Sequence, residues 1–475
     1  MKRENLHLPM EPGNMPMPKG KAQTGNSRKK PWWMIALAGL LIVAVAGGIV
    51  LGGGGHLPTA SGYAIREAAY PEMAAYPDEN SPDFERQYDA WWESVRAQRR
   101  PEGYADGLDH FWSESIPQFL AGEEGENKVY SPLNVYLGLG MLAELTDGDS
   151  RQQILDLLGE DSMENLRTQA EAVWNAQYRN DGATTCILAG SLWLDEDVQF
   201  VSRTLQRLAD TYYASSYRGA MGSEEFNKEL QNWIDRQTGG LLTEQTQTLR
   251  LDADTVLALA TTIQYHARWA GTFDETLTAP GTFHGTDGDA ACDFMHDRSL
   301  GTYYWGEHFG AVARPLENGG GTMWIILPDE GISPQQLLGE EETMEFLLCK
   351  GDWTDSKYLN INLSLPRFDV SSQTDLCDGL QALGVTDVFD ETRADFSPMA
   401  ANPQGIYLSQ AKHGVRVAVD EEGVTAAAYT VMAMSGSGMP PEDEMDFTVD
   451  RPFLFAITSD DGLPLFVGSV YQPAA

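Results

Sequence analysis

The sequence predicts an α+β protein, and three observations carry that prediction. Helical patterns dominate the first half, such as Arg151–Leu158 and Glu224–Gln237. Strand-like runs crowd the second half: Thr322–Leu327, Leu359–Leu365, Val415–Val419, Pro452–Ile457 and Leu465–Val470, with Ile187–Leu194 ahead of them. No alternation of strand and helix recurs as a βαβ repeat would, so helices pack on sheets rather than wrap a parallel one.

The elements justify themselves in chain order. Residues 1–31 hold seven basic side chains and two acids, and the rest of the 475-residue chain carries −43 of a total −38. They read as a basic cytoplasmic tail. From Trp32 to Leu51 run 20 residues without a charge, enough to span a hydrocarbon core of about 30 Å as a helix. With basic residues on one flank and Trp32-Trp33 at an interface, residues 32–54 are expected to be a transmembrane or signal anchor. The expected localisation is the cell membrane, single-pass, with the main domain extracellular. The rival is a cleaved signal peptide ending near Ala44-Val45-Ala46, giving a secreted protein.

Residues 55–103 read as a linker that begins with glycines. Within it an amphipathic helix is predicted near 83–98, because Phe84, Tyr88, Trp91, Trp92 and Val95 share one face. Those aromatics need a cover: the main domain, a membrane or a partner. A second helix is predicted around Leu108–Leu120, opening the domain assigned to 104–475.

Charge and motifs narrow the function. A body at −43 repels phosphate backbones, so nucleic acid is excluded as a partner and basic proteins are favoured. The four cysteines, Cys186, Cys292, Cys349 and Cys377, are far apart and the eight histidines are scattered; neither set has metal-ligand spacing. No cofactor or metal is expected. There is no Walker A, no GxGxxG opening a helix and no GxSxG. An enzyme is therefore not expected.

From about Leu108 to Pro473 the chain carries a series of short motifs. These begin with Asn127-Lys128-Val129-Tyr130-Ser131-Pro132-Leu133, Gly140-Met141-Leu142 and Ser150-Arg151-Gln152-Gln153-Ile154-Leu155. Then come Leu192-Trp193-Leu194, Asn232-Trp233 through Thr238-Gly239-Gly240, Ile325-Ile326-Leu327-Pro328-Asp329-Glu330 and Leu365-Pro366-Arg367-Phe368. Leu383-Gly384-Val385, Ala394-Asp395-Phe396-Ser397 and Leu408 through His413 follow. The last are Glu421-Glu422-Gly423 with Ala426-Ala427-Ala428, Arg451-Pro452-Phe453-Leu454-Phe455 and Phe466-Val467-Gly468.

These pieces stand in the order of a known family: the chain resembles the serpins, inhibitors of serine proteases, and is read as their bacterial type. The resemblance implies the serpin fold: helices on a large central mixed sheet, smaller sheets, and an exposed reactive-centre loop. It implies a suicide substrate for serine endopeptidases, trapped as a covalent acyl-enzyme when the cut loop inserts into the sheet. The chain is expected to act as a monomer. Glu421, Glu422, Gly423, Val424, Thr425, Ala426, Ala427 and Ala428 would form the hinge. Family spacing from Glu421 and a count back from Pro440-Pro441 both put the reactive bond at Ser437–Gly438. A small residue there, in a stretch without Lys or Arg, implies elastase-like or subtilisin-like targets.

The residues fit that task by themselves. A period of two places Val424, Ala426, Ala428, Thr430, Met432 and Met434 on one uncharged face. Gly423 supplies backbone freedom, and no proline interrupts the segment before Pro440. Before cleavage the hinge is expected outside the sheet, so Val424→Arg should leave the native fold nearly unchanged. Under the sheet, Ser131 and His413 match the family's polar shutter, and Trp269 matches the tryptophan at its top. Asn134 and Thr261 depart from that pattern, standing where the family has a Ser and an Asn. They are expected to share a hydrogen-bond network with Ser131 or His413. The alternative function is a non-inhibitory carrier, chaperone or binding protein of the same fold.

Overall fold

The helices follow from local signals that the structure, a computed structural model, makes visible. It describes residues 62–98, 103–122, 125–247, 249–403, 405–424 and 443–473. Seven helices matter here: α1 (Phe84–Gln98), α2 (Asp109–Leu120), α3 (Pro132–Leu145), α4 (Gly148–Leu158), α5 (Met163–Gln177), α6 (Ser202–Thr211) and α7 (Glu224–Gln237). At α7 the Ser223 hydroxyl accepts from the Phe226 N–H, with Glu224 and Glu225 in the first turn and Arg236 in the last, matching the helix dipole at both ends. At α4 Asp147 caps the start and Gly159, at φ 71°, closes the end in the left-handed region. Proline at the first position starts α3, which is buried on nearly all sides.

In chain order the strands are β1 (Ala64–Arg66), β2 (Lys128–Tyr130), β3 (Arg179–Asn180), β4 (Thr185–Asp195), β5 (Ala214–Gly219) and β6 (Leu257–Arg268). Next come β7 (Ala279–Gly285), β8 (Gly288–Trp305), β9 (Phe309–Leu316), β10 (Gly321–Pro328), β11 (Ser356–Pro366) and β12 (Phe368–Asp375). The last are β13 (Lys412–Val419), β14 (Gly423–Val424), β15 (Glu444–Thr448), β16 (Phe453–Thr458) and β17 (Pro464–Val470). They build two mixed sheets. The first has eight strands in the order β1-β5-β4-β6-β14-β13-β12, with β3 on β4. The second has nine, in the order β15-β11-β8-β9-β10-β16-β17-β2, with β7 on β8. The expected α+β serpin architecture is thus present.

One large hydrophobic core gathers α2–α6 and the inner faces of both sheets. A smaller one, with Trp193, Phe226 and Trp233 at its centre, joins α7 to the outer face of the first sheet. Two layers of cover on one sheet explain why Ile187–Leu194 reads as a continuous apolar run rather than an alternation.

The segment expected as a linker contributes to the same compact unit, Ala60–Ala475. β1 pairs with the edge strand β5. Tyr70 stacks on Trp174 at 5.8 Å, and the Tyr76 N–H donates to the Asp181 carbonyl at 2.6 Å. The predicted amphipathic helix is α1, and it buries Trp91 and Val95 against the main domain, with the Arg179 guanidinium 5.8 Å over the Trp91 ring.

The expected membrane placement is corrected by these helices. The longest of those named have 15 residues, about 22 Å at 1.5 Å per residue, short of a hydrocarbon core of roughly 30 Å. Among the described residues no helix is long and apolar enough to cross a membrane. Residues 1–54, with the expected tail and anchor, lie outside the described residues, and a single-pass extracellular localisation is not retained.

Candidate functional site: the joint between β6 and β13

The first sheet consists of two halves, β1-β5-β4-β6 and β13-β12, and among the described residues only β14 joins them by strand pairing. β14 has two residues. Gly423 and Val424 pair with Arg268 and Ala267 of β6, and Val424 also pairs with Val419 of β13. Both pairings are antiparallel. Val424 is 1% exposed.

The hinge was expected outside the sheet, and this is corrected: Gly423 and Val424 already sit in it. The reason is local. The Trp269 N–H donates to the Glu422 carbonyl at 3.0 Å, the Phe273 N–H to the Glu421 carbonyl at 3.0 Å, and the Trp269 indole to the Asp420 carbonyl at 2.8 Å. These bonds turn the chain into the gap. Gly423 is required there for space: a Cβ would lie 2.3 Å from the Ala267 carbonyl oxygen, too close for any side chain.

Glu421 anchors the entry. Its carboxylate is 6% exposed and pairs with Arg367, whose Nε donates to both oxygens at 2.8 Å; the Thr278 hydroxyl donates as well. Burial works to raise this carboxyl, but the Arg367 and Thr278 hydrogen bonds outweigh it and hold it below the usual carboxylate range. Arg367 and Thr278 were not among the residues singled out from sequence. Arg367 stands in the quoted Leu365–Phe368 motif, and its charge beside an otherwise apolar strand end was the available signal.

Trp269 is fully buried beside the joint, with the Arg314 guanidinium 5.9 Å over its ring. Beneath the sheet, Ser131 precedes α3 without a side-chain capping bond, and its N–H donates to His413 Nε2 at 3.1 Å. That bond makes Nε2 the acceptor, so the ring is neutral with its proton on Nδ1. Burial pushes the imidazole down to about 3.

The wider network expected here does not form. Asn134 is buried, yet its Nδ2 has no protein partner, and neither have Ser131 Oγ and His413 Nδ1. Thr261 instead faces Gly138 of α3, one turn past Asn134. The swapped pair lies on facing elements without bonding, because a threonine side chain is too short to span the layer an asparagine would.

Below Val424 the halves enclose a cavity of about 50 Å³. Leu259–Thr262 of β6, Gln373, Lys412 and Gly414 line it, under Leu230 and Ile234 of α7. Thr425, Ala426, Ala427, Ala428, Ser437 and Gly438 lie outside the described residues.

Residues 109–473 match the family model described as Serpin (serine protease inhibitor). Serpin-Z2B of Triticum aestivum is 28% identical over 361 residues, covering 73% of this chain and 90% of that protein. Serpin-ZX of Arabidopsis thaliana is 27% identical, covering 74% and 93%. These relatives are plant proteins, and the bacterial subtype expected from the sequence has no support. Among solved structures, the thermophilic serpin tengpin in its native state has a TM-score of 0.69 at 24% identity, covering 86% of this chain and all of that one. Arabidopsis AtSerpin1 in its native stressed conformation also gives 0.69 at 24%, covering 78% and 98%. Thyroxine-binding globulin in complex with thyroxine gives 0.68 at 18%, covering 78% and 99%, so the fold alone does not separate inhibitors from carriers. A family match over most of the chain supports one conclusion: the chain belongs to the serpin family, described as serine protease inhibitors.

Proposed function

We propose that this protein inhibits elastase-like or subtilisin-like serine proteases, with Ser437–Gly438 as the bait bond. The protease serine attacks the Ser437 carbonyl carbon. The bond to Gly438 breaks, and its nitrogen leaves as an amine after taking a proton from the protease's general acid. Ser437 remains as an ester on the protease. The freed strand then continues β14 downward between β6 and β13 before water can cleave that ester.

The observation that carries this reading is the register of β14. Continued antiparallel from Gly423 opposite Arg268 and Val424 opposite Ala267, residues 425–434 would lie opposite 266–257 of β6. That is ten residues, about 33 Å of strand. Opposite residues of an antiparallel pair share a face. Ala426, Ala428 and Thr430 would therefore join Val424 on the inner face, opposite Tyr265, Ile263 and Thr261. Small residues enter that packed layer without strain, while Tyr429 falls on the outer face opposite Thr262. A carrier role needs none of this pattern.

The test is incubation with pancreatic elastase or subtilisin, followed by denaturing electrophoresis and mass spectrometry. A denaturation-resistant covalent complex and a released peptide beginning at Gly438 are expected. Cleavage at that bond without any complex would leave a substrate and overturn the mechanism.

A further inference from the structure

We propose that Arg314 is a positioning residue for strand insertion: it ties the loop that holds Glu421 and Glu422 to the second sheet. This inference rests on the reading above. Arg314 belongs to β9, in the middle of that sheet, and is 9% exposed. Its Nη1 donates to Asp297 Oδ2 of β8 at 2.5 Å and to Ser299 Oγ at 3.3 Å. The Ser299 hydroxyl donates to the same carboxylate oxygen at 2.7 Å. Nη2 donates to the Gly271 carbonyl at 2.6 Å.

Gly271 lies in the link Ala270–Thr272, between the two residues whose N–H groups meet the Glu422 and Glu421 carbonyls, Trp269 and Phe273. The link belongs to no helix or strand, and Ala270 and Gly271 are exposed. The Arg314 guanidinium carbon lies 4.6 Å over the Phe273 ring and 5.9 Å over the Trp269 ring. The two rings meet edge-on at 6.0 Å. The backbone of β9 adds one bond, from the Ala270 N–H to the Pro315 carbonyl at 2.9 Å. That bond secures the Trp269 end of the link, and the guanidinium secures the Phe273 end.

A buried arginine needs a counter-charge and hydrogen-bond partners, and Asp297 with Ser299 supplies the charge. The second arm to Gly271 and the stack on Phe273 go beyond neutralisation. A planar fork of donors can serve two elements at once. One side chain thus carries the position of β8 and β9 to the two N–H groups beside the joint. Held donors keep the Glu421 and Glu422 carbonyls aimed, so the chain enters the gap at Gly423. In the race between insertion and deacylation, a hinge held in register starts insertion sooner. A loose hinge gives water time to cut the ester.

The experiment compares parent, Arg314→Leu/Asp297→Leu and Arg314→Lys in the full chain. The double variant leaves no buried charge unpaired, so its urea midpoint should stay at or above the parent's; if it falls, Arg314→Lys is read alone. Amide exchange at Trp269 and Phe273 should quicken about tenfold in the uncleaved double variant. With pancreatic elastase or subtilisin, the inhibitor molecules consumed per protease inactivated should rise about threefold, at an unchanged rate of cleavage. Arg314→Lys keeps the charge beside Asp297 but not the planar fork, and it should exchange and partition like the double variant. A role in neutralising Asp297 alone would leave Arg314→Lys at the parent's values. Parent-like exchange in Arg314→Lys, or faster exchange with parent-like consumption, overturns the positioning role and leaves the inhibitory reading intact. A parent that forms no complex overturns both.

Discussion

The two sheets of this protein solve the same packing problem in opposite ways. In the second sheet, β10 pairs with β9 over eight positions and with β16 over five, and its centre is continuous. In the first sheet, β4 pairs with β6 over ten positions and β12 with β13 over eight, yet the two halves meet through two residues of β14. The second sheet has spent its backbone hydrogen-bonding capacity. Among the described residues, the first has no strand between β6 and β13 beyond the two residues of β14. Continuity makes a scaffold; the interruption is where the proposed mechanism would seat a further strand.

The sharpest way to break the comparison is to place the same side chain in each sheet. Ile325 in the middle of β10 is fully buried. Ile325→Arg should cost more than about 4 kcal/mol, through an unpaired buried charge, and should abolish soluble folded protein on expression. Val424→Arg puts the same guanidinium at the joint. Here only β14 should leave the sheet, because each half keeps its own ladders. The body should retain its far-ultraviolet dichroism, while complex with elastase falls and cleaved, released inhibitor accumulates. Equal loss of fold in both variants would erase the distinction between the sheets.

Acid should loosen the first sheet. His413 is neutral in the fold, with its value lowered to about 3 by burial, whereas the unfolded chain binds a proton near 6.5. Its contribution is complete above about 6.5 and is lost as pH falls from there toward about 3. Linkage puts the loss at about 2 kcal/mol by pH 5. Urea midpoints at pH 8 and pH 5 measure it, and His413→Gln should flatten the difference. An unchanged pH slope in that variant would move the acid sensitivity elsewhere.

The smallest effect is expected at the entry to the joint. Arg367→Ala leaves the buried Glu421 carboxylate with Thr278 alone and should cost about 1 kcal/mol. Glu421 is lowered in the fold, so its contribution is present above about 4.3 and lost as pH falls below that. Amide exchange at residues 420–424 should quicken in Arg367→Ala at pH 7, and in the parent only when acidified. Parent-like protection in the variant would show that the backbone bonds from Trp269 and Phe273 suffice.

Much of this was legible in the sequence, and the misses share a cause. Glu224–Gln237 was read to its ends because both caps and the 3.6-residue period are local. The strands Thr322–Leu327 and Leu465–Val470 were found because their residues are buried on both faces. β8 was missed: over Gly288–Trp305 it is half-exposed and polar, so it shows neither a clean alternation nor an apolar run. The segment read as the hinge was expected outside the sheet, since nothing in Glu421–Val424 reports the N–H groups of Trp269 and Phe273 that its carbonyls meet. Arg367 lies 54 residues from Glu421, and no local pattern encodes such a pair. Likewise the stretch around Tyr70 has no periodicity, yet it stacks on Trp174.

The three-residue strand β1 bears on where this chain can be cut. It lies outside the family match at 109–473, but it pairs with β5 at the outer edge of the first sheet. A truncated protein starting at residue 109 would present β5 as a bare edge. Its unpaired N–H and C=O groups are a template for another chain's strand. It would also uncover the ring of Trp174 beneath Tyr70. Such a protein should fold and still self-associate, with sedimentation growing heavier as concentration rises, while the chain that keeps residues 62–98 stays at one size. The first three paired residues of the structure thus act as a selvedge: they finish the cloth at the side where it would otherwise unravel into its neighbours.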